Sequence, residues 1–309
     1  MTGQTFESAI WRKSSPRLSV LIPFFRDDAS DLISELEHQL DQDSVEILIH
    51  DDGTRDQPLT AKIESLIAKS PLAIRLFSAT ENQGRSAARN ALQLAARSDW
   101  VLFLDADMRP AQTDFLRNYL DLISQGQADI IFGGFHVEAQ KADKDRDLHR
   151  ALSDVSDCLS LAERQAAGAQ FVASSNLCVS KQVLETEPFD DGFSGWGWED
   201  SEWAARVSKR FTLIHIDNPA IHLGLETTET LLRRFATSGQ NYKRFVTLHP
   251  DLAPQLALYR ISSKLGRVPG QKLMRPALKA LVKAAAIPMK IRLNALKLWR
   301  ASHYAEALR

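Results

Sequence analysis

Residues 100–109, WVLFLDADMR, constrain this chain more than any other stretch. Four large apolar residues, 101–104, end abruptly at Asp105-Ala106-Asp107. A run that is apolar at every position reads as a strand buried on both faces. The two carboxylates cannot follow that run into the core, because burying an unpaired charge costs too much. They must meet solvent, a cation or a ligand at the lip of a sheet. With one residue between them they project to opposite faces if the strand continues, and converge if the chain turns. Paired oxygen ligands at a strand end suit a hard divalent ion shared with a phosphate-bearing substrate. Turn and N-cap roles before Pro110 account for the same two residues without a metal, so the decision rests on the rest of the chain.

The pattern repeats. Residues 18–23 (LSVLIP), 45–50 (VEILIH), 73–78 and 129–137 read as further strands. Between them, residues 31–40 (with Asp31 as cap), 58–68, 86–97 and 113–125 have helical spacing. Apolar strands alternating with helices imply a mostly parallel, mixed sheet covered on both faces. In such sheets ligands bind beyond the carboxyl ends of the strands. The polar motifs fall at those ends: Asp51-Asp52-Gly53-Thr54, Asn82-Gln83-Gly84-Arg85 and Asp105-Ala106-Asp107. Gly84 and Arg85 open a helix, where free N–H groups and the dipole favour anions. Arg89 lies one turn further on the same face, able to reach a nucleotide or to hold Asp51 or Asp52.

Residues 138–168 are charged and poor in bulky apolar side chains, and read as helix or mobile surface. Residues 171–179 (FVASSNLCV) read as a half-polar strand lining a pocket, and 211–217 as a late strand. Between those two strands, residues 189–203 (FDDGFSGWGWEDSEW) combine glycines, tryptophans and carboxylates. Such a segment offers loop freedom, flat stacking surfaces and acid–base capacity. A helix is expected from Glu202, and Asp200 is also suited to cap it.

Together VLIPFF, HDDGT, NQGRSAARNAL, WVLFLDADM and GWGWEDSEW resemble the catalytic domain of family 2-type glycosyltransferases with the GT-A fold, a Rossmann-like sheet flanked by helices. The likeness covers roughly residues 17–225. GWGWEDSEW is also similar to a segment of galactosyl- and N-acetylgalactosaminyltransferases and of bacterial chondroitin-type polymerases. The resemblance implies a nucleotide-sugar donor site formed by Pro23, Asp51, Asp52, Gly84, Arg85, Arg89 and Asp105, with Trp196 and Trp198 stacking on sugar. A strand-ending proline and core-packed tryptophans are the plain alternatives for Pro23, Trp196 and Trp198. One of Asp51 and Asp52 would accept the N3–H of uracil. Asp107 and His222 would hold a divalent metal, Mn or Mg, on the diphosphate. Asp200 would be the base that deprotonates the acceptor in an inverting transfer, with Glu199 binding hydroxyls. His215, which alternates with the apolar residues of its strand, is the poorer candidate ligand.

The chain is 309 residues long with a net charge of -1, and that total hides an asymmetry. Residues 260–309 carry 12 Lys and Arg against the single acid Glu306, giving +11; the other 259 residues carry 26 basic and 38 acidic, giving -12. Residues 1–16 are expected to be a flexible N-terminus, 17–226 the catalytic domain and 227–309 a basic helical extension. In that extension Lys272, Arg275, Lys279 and Lys283 share one helix face opposite Leu278, Leu281, Val282 and Ala285. This stripe suits an anionic membrane surface along residues 260–300. It suits equally a helical pair folded back, with its cations solvated or facing acidic residues.

Two cysteines give no disulfide framework. No apolar h-region follows Met1 and no stretch of about 18 uncharged apolar residues spans a bilayer. The expectation is a cytoplasmic enzyme, peripheral on the inner face of the membrane. GQNYKRF (239–245) is similar to the Q-x-x-R-W motif of processive synthases, but is one residue longer and has Phe245 for Trp. That departure argues against a polymer-extruding synthase.

The acceptor implied is a glycan or lipid-linked saccharide. A non-catalytic scaffold is disfavoured by the full set of acids and His222. A sugar-1-phosphate nucleotidyltransferase is disfavoured by IPFFRDD where a Gly-rich loop belongs. Nothing supplies base-reading chemistry for nucleic acid.

Overall fold

The computed structural model describes residues 3–138 and 143–309. Its strands are β1 (Gly3–Glu7), β2 (Leu18–Phe24), β3 (Val45–Asp51), β4 (Ala73–Ala79), β5 (Trp100–Leu104), β6 (Met108–Pro110), β7 (Ile130–Phe132), β8 (Phe135–Val137), β9 (Asn176–Ser180), β10 (Leu213–His215) and β11 (Ala220–His222). Its α-helices are α1 (Ser30–Leu36), α2 (Gln57–Lys69), α3 (Arg85–Ala95), α4 (Phe115–Gln125), α5 (Asp147–Ser156), α6 (Leu161–Ala167), α7 (Lys181–Thr186), α8 (Glu199–Val207), α9 (Thr228–Thr237), α10 (Gly239–Leu248), α11 (Ala257–Gly266), α12 (Arg275–Lys283) and α13 (Met289–Ala307). Two compact units emerge among the described residues: 3–138, 159–191 and 203–224 form one, and 143–158, 192–202 and 225–309 the other.

The first unit is the α/β body. Its large sheet runs β1-β4-β3-β2-β5-β9-β7-β10, and a small one runs β6-β11-β8. β4, β3, β2 and β5 are mutually parallel, whereas β1 and β9 run antiparallel to their neighbours. Alternate residues of one strand feed opposite cores. Val20, Ile22, Ile47, Ile49, Leu102 and Leu104 pack with α1, α2 and α4. Leu21, Leu48, Val101 and Phe103 pack with α3, α7 and Trp203 of α8. Each such Leu or Ile contributes roughly 1.5–3 kcal/mol by leaving water, which explains why the strand runs are apolar throughout.

Two expectations change here, and a third is narrowed to one of its alternatives. Residues 3–7, which look frayed from their polar composition, pair with β4 as an edge strand, with Glu7 ion-paired to Arg75. A backbone ladder needs no apolar side chains on its open edge. Asp31 does not cap α1; the Asp28 carboxylate accepts the Ser30 N–H instead. Residues 143–168, read as helix or mobile surface, include α5 and α6, while 139–142 lie outside the described residues.

The second unit is helical. Leu148, Leu231, Leu232, Phe235, Leu278, Val282, Ala295 and Leu296 form its core, so Leu278 and Val282 of α12 are buried as their spacing predicts, whereas Leu281 is 38% exposed and Ala285 lies exposed beyond the end of the helix. The opposite basic face is not bare. Lys279 and Lys283 both pair with Glu229, and Lys272 and Arg275 with Glu306. The stripe is therefore met by acids of its own unit. No helix among the described residues is long and apolar enough to cross a membrane.

Candidate active site

The carboxyl ends of β3 and β4 build the first part of the site. Asp51 Oδ1 accepts the Thr54 N–H at 2.8 Å, closing the turn that follows β3. Asp52 accepts the Gln83 N–H on Oδ1 (2.8 Å) and the Gly84 N–H on Oδ2 (2.9 Å). Burial pushes the Asp52 carboxyl above its ordinary range, with those two N–H groups pulling the other way. Gly53 is required twice over. Its φ is 80°, and a Cβ there would fall 2.6 Å from the carbonyl carbon of Glu81.

The two motif loops are thus bolted together, and Asp52 is the bolt. Both its oxygens are committed to backbone donors, so of the paired acids Asp51 is the better placed to face a base. Gly84, at φ 94°, precedes α3 with no side-chain cap, and Arg85 stands exposed in the first turn. Pro23 lies inside β2, opposite His50; the ladder with β5 involves only Ser19–Leu21, so no hydrogen bond to β5 is lost at Pro23.

The end of β5 builds the second part. The Met108 N–H bonds the Asp105 carbonyl at 3.0 Å, so the chain turns between the two acids and gives them different partners. Arg89, 1% exposed, stands 3.6 Å from Asp105 and 5.5 Å over the Phe189 ring. This contact brings the buried Arg89 to Asp105, an acid its expected roles did not include. Asn90 is structural, bonding the backbone of Phe189 in both directions.

Asp107 meets His222 instead. β11 pairs antiparallel with β6, setting His222 opposite Met108, and the Leu223 N–H bonds the Asp107 carbonyl at 2.9 Å. His222 Nε2 then lies 3.3 Å from Asp107 Oδ2. Burial raises the Asp107 pKa, but the hydrogen bond and charge of His222 and the charge of Arg85 outweigh it and hold the carboxyl low. Gly224 leaves room for this carboxylate, since a Cβ there would fall 1.8 Å from Asp107 Oδ2. Two ligands each about 2.1 Å from one ion at a right angle stand roughly 3 Å apart, so the pair fits a divalent cation. Among the described residues no group of three or more His, Cys, Asp or Glu is arranged to hold one. Further ligands would come from substrate and water.

Sequence reasoning missed what holds β11 in place. The buried Arg164 donates to the carbonyls of Phe132, Gly133 and Ile216 at 2.9–3.3 Å. Asn176 accepts from Tyr119 and donates to the carbonyls of Gly134 and Asn218. Asn176 of the 171–179 stretch therefore serves a buried network, while the buried Ser175 Oγ has no hydrogen-bond partner among the described residues. His215 is fixed by a 2.9 Å contact with the Gly168 carbonyl, as befits a poor ligand candidate.

The second unit holds the Gly-Trp loop. Glu199 is buried, Asp200 is half-buried, and both lie in the first turn of α8, earlier than the expected start. Trp196 packs against Phe235. Trp198 lies among Tyr242, Phe245 and Tyr304, and its indole N–H donates to Tyr304 Oη at 3.1 Å. Both indoles are thus packed within their own unit.

A sequence profile of glycosyl transferase family 2 matches residues 19–184, more than half of the chain. The chain belongs to glycosyl transferase family 2. The Asp51-Asp52, Gly84-Arg85 and Asp105–Asp107 motifs of this glycosyltransferase lie within the match; His222 and the Glu199-Asp200 pair lie beyond it. Its fold is that of GT-A enzymes. A mannosyltransferase from Pyrobaculum calidifontis, PcManGT, in complex with GDP-Man and Mn2+ superposes with a TM-score of 0.61 at 16% identity, covering 93% of this chain and 86% of that one. TarS 1–349 of S. aureus in complex with UDP-GlcNAc gives 0.53 at 14% identity, over 94% and 90%. No curated protein sequence matches the chain.

Proposed function

We propose that this glycosyltransferase moves a sugar, with inversion, from a nucleotide-sugar donor to a hydroxyl of a glycan or lipid-linked saccharide. The observation that carries the reading is the Asp107–His222 pair, with Gly224 clearing space for the carboxylate. The GDP-Man and UDP-GlcNAc complexes of proteins with this fold support a nucleotide-sugar, and the paired acids after β3 favour UDP. Asp107 and His222 would hold Mn or Mg, which when bound draws negative charge off the departing diphosphate. Pro23 and Asp51 border the base and ribose, Gly84 and Arg85 receive phosphate at the α3 N-terminus, and Asp105, braced by Arg89, receives ribose or donor sugar. Asp200 takes the acceptor proton and Glu199 binds hydroxyls.

Peripheral attachment to an anionic membrane we assign to the exposed Lys264, Arg267, Lys290 and Lys297. The stripe at 272–283 is engaged by Glu229 and Glu306.

The test is nucleotide release from a panel of UDP- and GDP-sugars, with Mn and with chelator. Metal-dependent release from one donor, abolished in Asp107→Ala, is expected. Failure of both UDP and GDP to bind in the presence of Mn would overturn the reading, whereas nucleotide binding without release or transfer would favour a non-catalytic nucleotide-sugar-binding scaffold.

A further inference from the structure

The backbone of the Gly-Trp loop is unusual. Gly195, Gly197 and Trp198 have φ of 75°, 91° and 80°. Glycine adopts such angles freely, but a bulky residue there is a genuine outlier. Strain of this kind persists only where surrounding structure over-determines it. Here the restraint comes from α10 and α13 of the same unit.

Asn241 of α10, 5% exposed, donates from Nδ2 to the carbonyls of Gly197 and Ser194, both at 2.9 Å. Its Oδ1 accepts the Ser194 N–H at 3.2 Å. Tyr304 of α13, fully buried, accepts the Trp198 indole N–H and shares a 2.7 Å hydrogen bond with Ser238. The rings of Tyr242 and Phe245 lie 4.6 and 5.0 Å from that of Trp198. On the other side, the Trp198 carbonyl accepts the Glu202 N–H at 2.9 Å, the bond that opens α8. Trp198 is therefore the joint between a clamped loop and the helical turn carrying Glu199 and Asp200. Rotation about its φ swings that turn.

We propose that Asn241 and Tyr304 are positioning residues for the acidic pair. They hold Gly197 and Trp198 left-handed, and so fix the direction in which the first turn of α8 presents Glu199 and Asp200. Trp198 then serves as an anchor rather than a sugar platform, and the helices after residue 227 belong to the catalytic apparatus. The inference rests on the assignment of the acidic pair to the transfer step.

The experiment uses the full chain and the nucleotide sugar that the release assay identifies. Tyr304→Phe, which deletes one hydroxyl, and Asn241→Ala are compared with Asp200→Asn for kcat and donor KM of release, and for Kd of the free nucleotide. The expected result is kcat lower by roughly ten- to hundredfold in both clamp variants, as for a small misplacement of a reacting group, with donor KM and nucleotide Kd within about twofold of wild type. A kcat retained in both variants overturns the inference. So does a parallel loss of kcat and nucleotide binding, which marks general packing. Asp200→Asn decides the other question separately: if that variant stays active the base assignment falls, while the clamp variants still decide whether the loop is positioned.

Discussion

At Gly224 a single methyl group would spoil the cation site proposed at Asp107 and His222. Gly224→Ala would bring Cβ to 1.8 Å from Asp107 Oδ2, so the carboxylate must swing away from His222. The φ at Gly224 is not in the left-handed region, so backbone strain plays no part. Loss of a supporting contact at a metal site typically weakens metal binding ten- to a hundredfold. We expect Mn-dependent UDP binding to fall by about that factor in Gly224→Ala, with the unfolding midpoint little changed; calorimetric titration with and without Mn checks it. That Asp107 must find a partner was readable from the sequence, because a carboxylate ending an apolar strand has to be satisfied at the rim, and His222 stands 3.3 Å from it. The demand for glycine at 224 was not, since nothing local distinguishes that residue from an ordinary turn glycine.

Among the elements, the β3 turn and the β4–α3 loop act as one piece because Asp52 joins them. Asp52→Asn keeps the size but leaves at most one oxygen to accept, so one of two N–H groups loses its partner. A charged, partly buried hydrogen bond of this type is worth roughly 1.5–3 kcal/mol. Stability is expected to fall by that amount in urea unfolding, and UDP to bind about tenfold more weakly because Gly84 and Arg85 are no longer held. Wild-type UDP affinity in Asp52→Asn would count against the role given to the loop. The parallel strands were legible because burial on both faces forces apolar residues at every position of 101–104. The edge strand β1 was not, because its ladder is a backbone property and Phe6 is its one apolar side chain. The Arg164 and Asn176 networks were equally hidden, because they join carbonyls and amides distant in the sequence. The Gly-Trp loop was conspicuous by composition, yet its partners Asn241 and Tyr304 carry no local signal.

For the whole molecule, the charge asymmetry of the sequence is only partly expressed as free cations. The 272–283 stripe is paired with Glu229 and Glu306, whereas Lys264, Arg267, Lys290 and Lys297 are exposed. Each cation near an anionic bilayer contributes about 1 kcal/mol. Lys290→Glu/Lys297→Glu is therefore expected to release the chain from phosphatidylserine vesicles in sedimentation. Lys279→Glu, which disturbs a paired cation, should matter less.

Acid provides the second whole-molecule test. Burial, with help from Arg275 and Lys272 against Glu306, depresses the His303 pKa from 6.5 to about 4. Burial also lowers the pKa of His50 and His215 in the first unit. As pH falls below 6.5 the unfolded chain takes up these protons first, while the folded chain takes up the His303 proton only near 4. The unfolded state therefore binds more protons throughout that window, and stability drops as pH falls across it. The His303 share is about 3 kcal/mol, from some 1.4 kcal/mol per pKa unit. His303→Phe keeps a ring against Trp299, 4.5 Å away in the native chain, and removes the titration. Unfolding measured at pH 7 and pH 4.5 should then show a smaller loss in the variant than in the wild type. Equal losses would mean that His303 is protonated in the folded chain well above pH 4, and that α13 tolerates the charge.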